Sequence, residues 1–178
     1  MQLRTTSVKY GRVAITNHWL SAALISGMFV AGIVAAETIY PDQKAATLRI
    51  HAPVGLAVLA LTLLRIVWWL FADKKLVAVP GQPHWRALAS RWLHRFMYLC
   101  IFAMTGSGIW LLNVSGAGET IFQSAVRPMP EFETFAAYQM HSTVALIFEA
   151  LFVLHVLAAL YHQFIRKDCL LARMGIGR

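Results

Sequence analysis

The segment AYQMHSTVALIFEALFVLHVLAALYHQFI, Ala137–Ile165, carries three of the seven histidines of the chain in an otherwise apolar run. Read as an α-helix, it places His141 and His155 within about 40° of one face and roughly 21 Å apart along the axis. His162 continues the stripe, roughly 10 Å further on. A helix that offers imidazoles at two depths on one face is suited to be the shared wall of two stacked metal or haem sites. Such sites need partner ligands at matching depths on other helices.

The composition supplies those helices. Of 178 residues, 58% are hydrophobic and only 13% charged, about half the charge of a soluble domain, which points to a membrane protein. Four apolar runs, Val13–Ala36, Leu48–Ala72, Trp92–Val114 and Ala137–Ile165, each exceed the roughly 20 residues that cross a hydrocarbon core as a helix. The first is too long for a signal peptide, lacks a small-residue cleavage site and contains a histidine. The expected architecture is all-α: one domain over 1–178, a four-helix up-down membrane bundle.

Charge sets its orientation. With both ends on one side, that side holds Arg4, Lys9, Arg12, Arg65, Lys74, Lys75, Arg86, Arg91, Arg95, Arg166, Lys167, Arg173 and Arg178, and the other only Lys44, Arg49 and Arg127. Thirteen cations against three place both termini in the cytoplasm by the positive-inside rule. Glu37, Asp42, Glu119, Glu131 and Glu133 lean to the opposite side. The net charge of +8 is therefore topology and lipid contact rather than a nucleic-acid footprint. Cys100 and Cys169 offer no disulfide framework, and no C-x-x-C-H is present for covalent haem attachment.

Along the chain, the first span carries His18, followed by Trp19, with Gly27 and Gly32 at mid-depth. A histidine there is either an interface residue or a ligand, and the glycines either admit a neighbouring helix or make room for a flat group. The second span starts near Leu48, with His51 at its outer end and Pro53 in its first turn, where a missing N–H matters little. Arg65 either snorkels past Trp68 and Trp69 to the interface or pairs with an anionic cofactor group. The stretch from Ala72 to Arg91 reads as a loop, with His84 a solvent-exposed loop histidine. The third span opens with Trp92, His94 and Arg95, and its middle, Thr105-Gly106-Ser107-Gly108, is poor in side chains, so that it either lets helices touch or faces a macrocycle. The loop from Ser115 to Phe135 should cap the outer end of the bundle.

Matching depths pairs the histidines: His51 with His141 near the outer ends, His18 with His155 in the inner half. Two bis-imidazole pairs suit two planar haems held without thioether links, with no open iron position, and hence electron transfer. Polar side chains in membranes also act as hydrogen-bonding glue, so a helical scaffold with structural histidines is the competing reading. A compact zinc or di-iron centre fits less well, since neither HExxH nor Glu-x-x-His occurs.

The elements Asn17-His18-Trp19-Leu20 and Arg49-Ile50-His51, the spaced histidines His141, His155 and His162, and the tail Arg166-Lys167-Asp168-Cys169-Leu170-Leu171-Ala172-Arg173-Met174 resemble the prokaryotic cytochrome b561 family over essentially the whole chain. The resemblance implies a four-helix, di-haem b cytochrome of the bacterial inner membrane, related to the cytochrome b subunits of nickel-iron hydrogenases and formate dehydrogenase. It implies the same ligand pairs. The best-defined short members of that family resemble superoxide oxidases, which pass electrons from periplasmic superoxide to ubiquinone. The alternative within the family is an electron-carrier subunit docking a periplasmic dehydrogenase, hydrogenase or reductase. A second copy of the chain is a further possible partner.

Other positions carry smaller expectations. His94, Arg95 and His162, at the cytoplasmic level, either meet a quinone or a haem propionate or simply anchor the interface. Lys44, Arg49 and Arg127 are the cations of an acidic outer face, either steering superoxide or contacting headgroups and propionates. Glu149 lies mid-span, about 80° off the histidine stripe, where an ionisable group is expensive; a proton path to reduced quinone is the role expected of it.

Overall fold

The computed structural model describes residues 2–6, 9–73, 83–122, 128–168 and 170–177. Among them the chain is all-α. Four long helices, α1 (Arg12–Glu37), α2 (Pro41–Phe71), α3 (His84–Ser115) and α5 (Ala136–Leu160, extended by a π-helical turn Tyr161–Arg166), are joined by shorter pieces. These are α4 (Ala117–Phe122), a 3₁₀ turn (Phe132–Thr134) and α6 (Leu170–Arg173). Each long helix is apolar and long enough to cross a membrane, so the fold is a four-helix membrane bundle.

Two helices begin earlier than the hydrophobic runs suggest. α2 starts at Pro41, whose fixed φ suits the first helical position, with Asp42 in the first turn to complement the helix dipole. Pro53 is therefore not in a first turn but deep inside α2. Its missing N–H leaves the Arg49 carbonyl without its helical donor, two residues before His51. α3 starts at His84, because His84-Trp85-Arg86-Ala87-Leu88 is helix-forming though too polar to count as a span. His84 is exposed, but as a helical residue rather than a loop one. Lys74 and Lys75 lie outside the described residues.

α3 ends at Gly116, whose φ of +66° is the left-handed conformation that closes a helix cheaply only with glycine. The chain then folds a small core of its own. Ala117, Ile121 and Phe132 are buried against Leu48 of α2, Leu111 and Leu112 of α3, Met129, and Tyr138 of α5. The Arg49 Nε–H donates to the Ile121 carbonyl and pins α2 to the end of α4. The described part of this loop is thus a packed cap.

The two termini bond to each other. The Tyr10 N–H donates to the Arg173 carbonyl at 3.2 Å and the Trp19 indole N–H to the Met174 carbonyl at 3.0 Å. Thr5, 3% exposed, donates its N–H and hydroxyl to the Asp73 carboxylate at 2.7 and 2.6 Å. Gly11 passes so close to the Leu3 carbonyl that any Cβ would collide with it. Both ends therefore share one side, which the cation count identifies as cytoplasmic. Burial pushes the Tyr10 phenol above its usual range. The outward faces stay greasy: Ile50, Leu99 and Leu146 are each more than 60% exposed, a surface made for lipid.

The chain forms two compact units, and each long helix contributes to both. A termini unit holds Met1–Ala22, Leu61–Tyr98 and Ala150–Arg178; a loop unit holds Ala23–Ala60 and Leu99–Glu149.

Candidate functional site

Each unit contains one of the expected histidine pairs. In the loop unit, α2 brings His51 and α5 brings His141 to a ring-centroid separation of 6.3 Å, planes inclined at 63°. In the termini unit, His18 of α1 and His155 of α5 stand 6.2 Å apart at 64°. Two imidazole nitrogens sharing one metal at about 2 Å each, with roughly 1 Å from nitrogen to ring centre, put the ring centres about 6 Å apart. Both pairs have that spacing. Among the described residues no group of three or more His, Cys, Asp or Glu side chains could hold a metal ion, so each pair would share its metal with a group supplying the remaining ligands.

The surroundings of the loop-unit pair fit a flat macrocycle. A Cβ on Gly32 would lie 3.7 Å from His51 Cε1, and one on Gly108 would lie 3.4 Å from His141 Cε1. Gly27 and Gly106 have no side-chain contact within 4 Å of where a Cβ would stand. Glycine thus flanks both rings and leaves space beside them. The Ser107 hydroxyl is spent on the Ala103 and Met104 carbonyls, at 2.7 and 3.1 Å, so its oxygen accepts from His141 Nδ1–H at 3.0 Å. That bond fixes the tautomer and leaves His141 Nε2 with its lone pair, the form a metal binds. Buried His51 Nδ1 has no hydrogen-bond partner among the described residues.

The termini-unit pair has polar company. Arg65 of α2 donates from Nε to Asn17 Oδ1 at 2.8 Å and from its terminal nitrogen to Ser21 Oγ at 3.3 Å. Asn17 Nδ2 donates to the Leu61 carbonyl at 3.0 Å, tying α1 to α2 one residue before His18. Arg65 neither snorkels freely nor lacks a partner, and among the described residues three of its five N–H donors stay available to an anionic group. His94 adds a third ring, 5.1 Å from that of His155 and inclined at 80°, with Nδ1–H donated to the Ser90 carbonyl at 2.6 Å.

The other expected site residues are more scattered. Arg95 lies over the Trp92 ring, 5.0 Å from its centre. His162 donates Nδ1–H to Asp168 Oδ2 at 2.7 Å, and hydrogen bonding from His162, ahead of the nearby Arg166 charge, holds the Asp168 carboxyl below its usual range. Lys44 is half-buried on α2, Arg49 is fixed at the Ile121 carbonyl, and Arg127 lies outside the described residues. Glu149 is half-buried with no hydrogen-bond partner among the described residues. Sequence reasoning assigned no individual role to Asn17, Ser21 or Asp168, and none as a hydrogen-bond partner to Ser107. Asn17, a lone amide in an apolar helix, was the clearest signal among them.

Comparison with known proteins agrees with this geometry. Residues 9–177 match the family model described as prokaryotic cytochrome b561. Two proteins of Escherichia coli (strain K12) are similar. Cytochrome b561 homolog 2 is 29% identical over 181 residues, covering 98% of this chain and 95% of that protein. Cytochrome b561 homolog 1 is 29% identical over 176 residues, covering 93% and 96%. No solved structure matches with comparable significance. With the family model spanning nearly its full length and four helices fit to cross a membrane, the chain belongs to the prokaryotic cytochrome b561 family, multi-pass proteins of the bacterial inner membrane that bear haem b and transfer electrons.

Proposed function

We propose that the protein is a di-haem superoxide:ubiquinone oxidoreductase. The observation that carries this reading is the duplicated pair, His51 with His141 and His18 with His155, at 6.3 and 6.2 Å. His51 and His141 would hold the outer haem b and His18 and His155 the inner one, each non-covalently through two imidazoles. Haem b, when bound, supplies a one-electron iron couple with no open coordination position.

The side chains of the protein do the rest. Ser107 orients His141, and the Asn17–Arg65–Ser21 network stiffens the α1–α2 contact beside His18 and leaves guanidinium donors for a propionate. The apolar helices keep water from both pairs. Lys44, Arg49 and Arg127 are the cations of the acidic periplasmic side, placed to draw in an anionic radical such as superoxide. The bond from Arg49 to the α4 carbonyl keeps that charge in place instead of letting it sweep the headgroup layer. At the cytoplasmic level His94, Arg95 and His162 would supply donors to a quinone oxygen or cations to a propionate.

The test is direct. Purified protein should show a b-type α-band in its reduced-minus-oxidised spectrum with two haems per chain. Superoxide should then reduce the haems, and ubiquinone reoxidise them, faster than spontaneous dismutation consumes the radical. No haem reduction by superoxide, with a periplasmic dehydrogenase co-purifying, would make the chain an electron-carrier subunit instead.

A further inference from the structure

Past Leu160 the last long helix departs from α geometry. Tyr161–Arg166 form a π-helical turn, and Lys167 follows with φ +56° and ψ +32°. Lys167 is the one non-glycine residue with positive φ among the described residues, a conformation that costs an L side chain about 1 kcal/mol or more. The Lys167 and Asp168 N–H groups both converge on the His162 carbonyl, the second at 3.1 Å. A widened turn and a strained residue in direct succession mark a built feature. Their joint effect is to fold Asp168 back over His162, so that Oδ2 accepts Nδ1–H at 2.7 Å.

We propose that His162 and Asp168 form a proton-delivery dyad for a quinone bound at the cytoplasmic end of α5, with His162 as donor and Asp168 as its positioning residue. This rests on the reading of quinone as electron acceptor. The carboxylate keeps a proton on Nδ1 and turns Nε2 away from itself. Nε2 has no hydrogen-bond partner among the described residues, and the two side chains are 18% and 21% exposed, enough for exchange with water. Reduction of a quinone takes two electrons and two protons, turning both carbonyls into hydroxyls. Two superoxide ions supply the electrons and leave as dioxygen. One proton passes from Nε2 of the imidazolium to the nearer quinone oxygen, while Nδ1–H stays with Asp168. Cytoplasmic water protonates the other oxygen and reloads the ring.

Among the described residues, charged and titratable groups adjoin the dyad on its own turn and on α6. Arg166 Nε lies 3.7 Å from Asp168 Oδ2, and the Tyr161 ring stands edge-on to His162 with centres 5.7 Å apart. Arg173 is on α6, which packs against the turn, and its carbonyl receives the Tyr10 N–H from the amino-terminal segment. Lys167 adjoins Asp168 in sequence. The depressed Asp168 carboxyl keeps the positioning charge present throughout the neutral range.

Quinol formation by haem-loaded protein, with superoxide as donor and a short-chain ubiquinone as acceptor, tests this between pH 6 and 8.5. Asp168→Asn should slow quinol formation by roughly tenfold or more on the alkaline side, where solvent protons are scarce, and less at pH 6. Haem content and spectra should be unchanged, and Asp168→Glu should recover much of the rate. His162→Gln should reproduce the Asp168→Asn profile. An Asp168→Asn profile parallel to that of the unaltered protein overturns the dyad while leaving quinone as acceptor. Loss of haem in both Asp168→Asn and His162→Gln overturns it too, making the pair a structural clasp. Should unaltered protein take electrons from superoxide yet form no quinol at any pH, the quinone reading falls, and the dyad with it.

Discussion

Around His51 and His141 the neighbours are glycines and a single serine hydroxyl, whereas His18 and His155 have a guanidinium, a buried amide and a third imidazole close by. The ring spacing is nearly the same, 6.3 and 6.2 Å, the spacing that a shared metal would demand, while the surroundings differ. The loop-unit pair is held by shape, with Gly32 and Gly108 against the rings and one hydrogen bond from His141 to Ser107. The termini-unit pair is held by polar ties, Arg65 to Asn17 and Ser21, and Asn17 to the α2 backbone. A shape-held site tolerates little change in volume; a tie-held site tolerates little loss of a donor.

The largest effect that could break this comparison is loss of one ligand. His51→Ala should remove the loop-unit haem and spare most of the other, halving the haem-to-protein ratio in a pyridine haemochrome assay. Loss of both haems together would show that the pairing is wrong. Next in size is Ser107→Ala, which frees His141 Nδ1–H and lets the ring turn. Removing an outer-shell partner of this kind typically weakens metal binding about 10–100-fold, and titration of apoprotein with haem should show one of two sites weakened by that order. An unchanged binding curve would mean that glycine packing alone orients His141.

Arg65→Met probes the other unit. It leaves Asn17 Oδ1, on a residue only 7% exposed, with nothing better than the Ser21 hydroxyl at 3.5 Å, at a cost of about 1–3 kcal/mol. The thermal midpoint in detergent should fall while the loop-unit haem keeps its spectrum. Removing a cation near the inner pair should also lower the midpoint potential of that haem, because positive charge favours the more electron-rich state. A potential unchanged in this variant would place Arg65 outside the electrostatic reach of the inner iron.

The architecture was legible from hydropathy because in a membrane the apolar stretch is itself the structural element. What escaped was at the polar ends. The first turns of α2 and α3 are helical by propensity and capping rather than by hydropathy, which hid the helical setting of His84 and the interior position of Pro53. The histidine pairs were readable because imidazoles are rare and costly at that depth. Their supports were not: Ser107 read only as one small residue in a stretch that touches a helix or faces a macrocycle, and its role depends on which neighbour its hydroxyl meets across 34 positions of sequence. Asp168 was hidden differently, since six residues at ordinary helical pitch would put it well away from His162; only the π turn and left-handed Lys167 return it.

That return carries the smallest effect, and it can be isolated by pH. Asp168 has its carboxyl held below the usual range in the folded protein, by the His162 hydrogen bond first and Arg166 second. A depressed folded value means that the contribution of the carboxylate is complete above the unfolded value, about 3.9 for a free Asp. It is lost as pH falls through the folded one. The thermal midpoint of unaltered protein should therefore exceed that of Asp168→Asn by a small margin near neutrality. The margin should shrink toward zero in acid, once the native carboxyl is protonated and the two side chains differ little. A margin that widens on acidification would have the wrong sign for a carboxylate clasp, and would shift the anchoring of this turn to the two N–H groups that meet the His162 carbonyl.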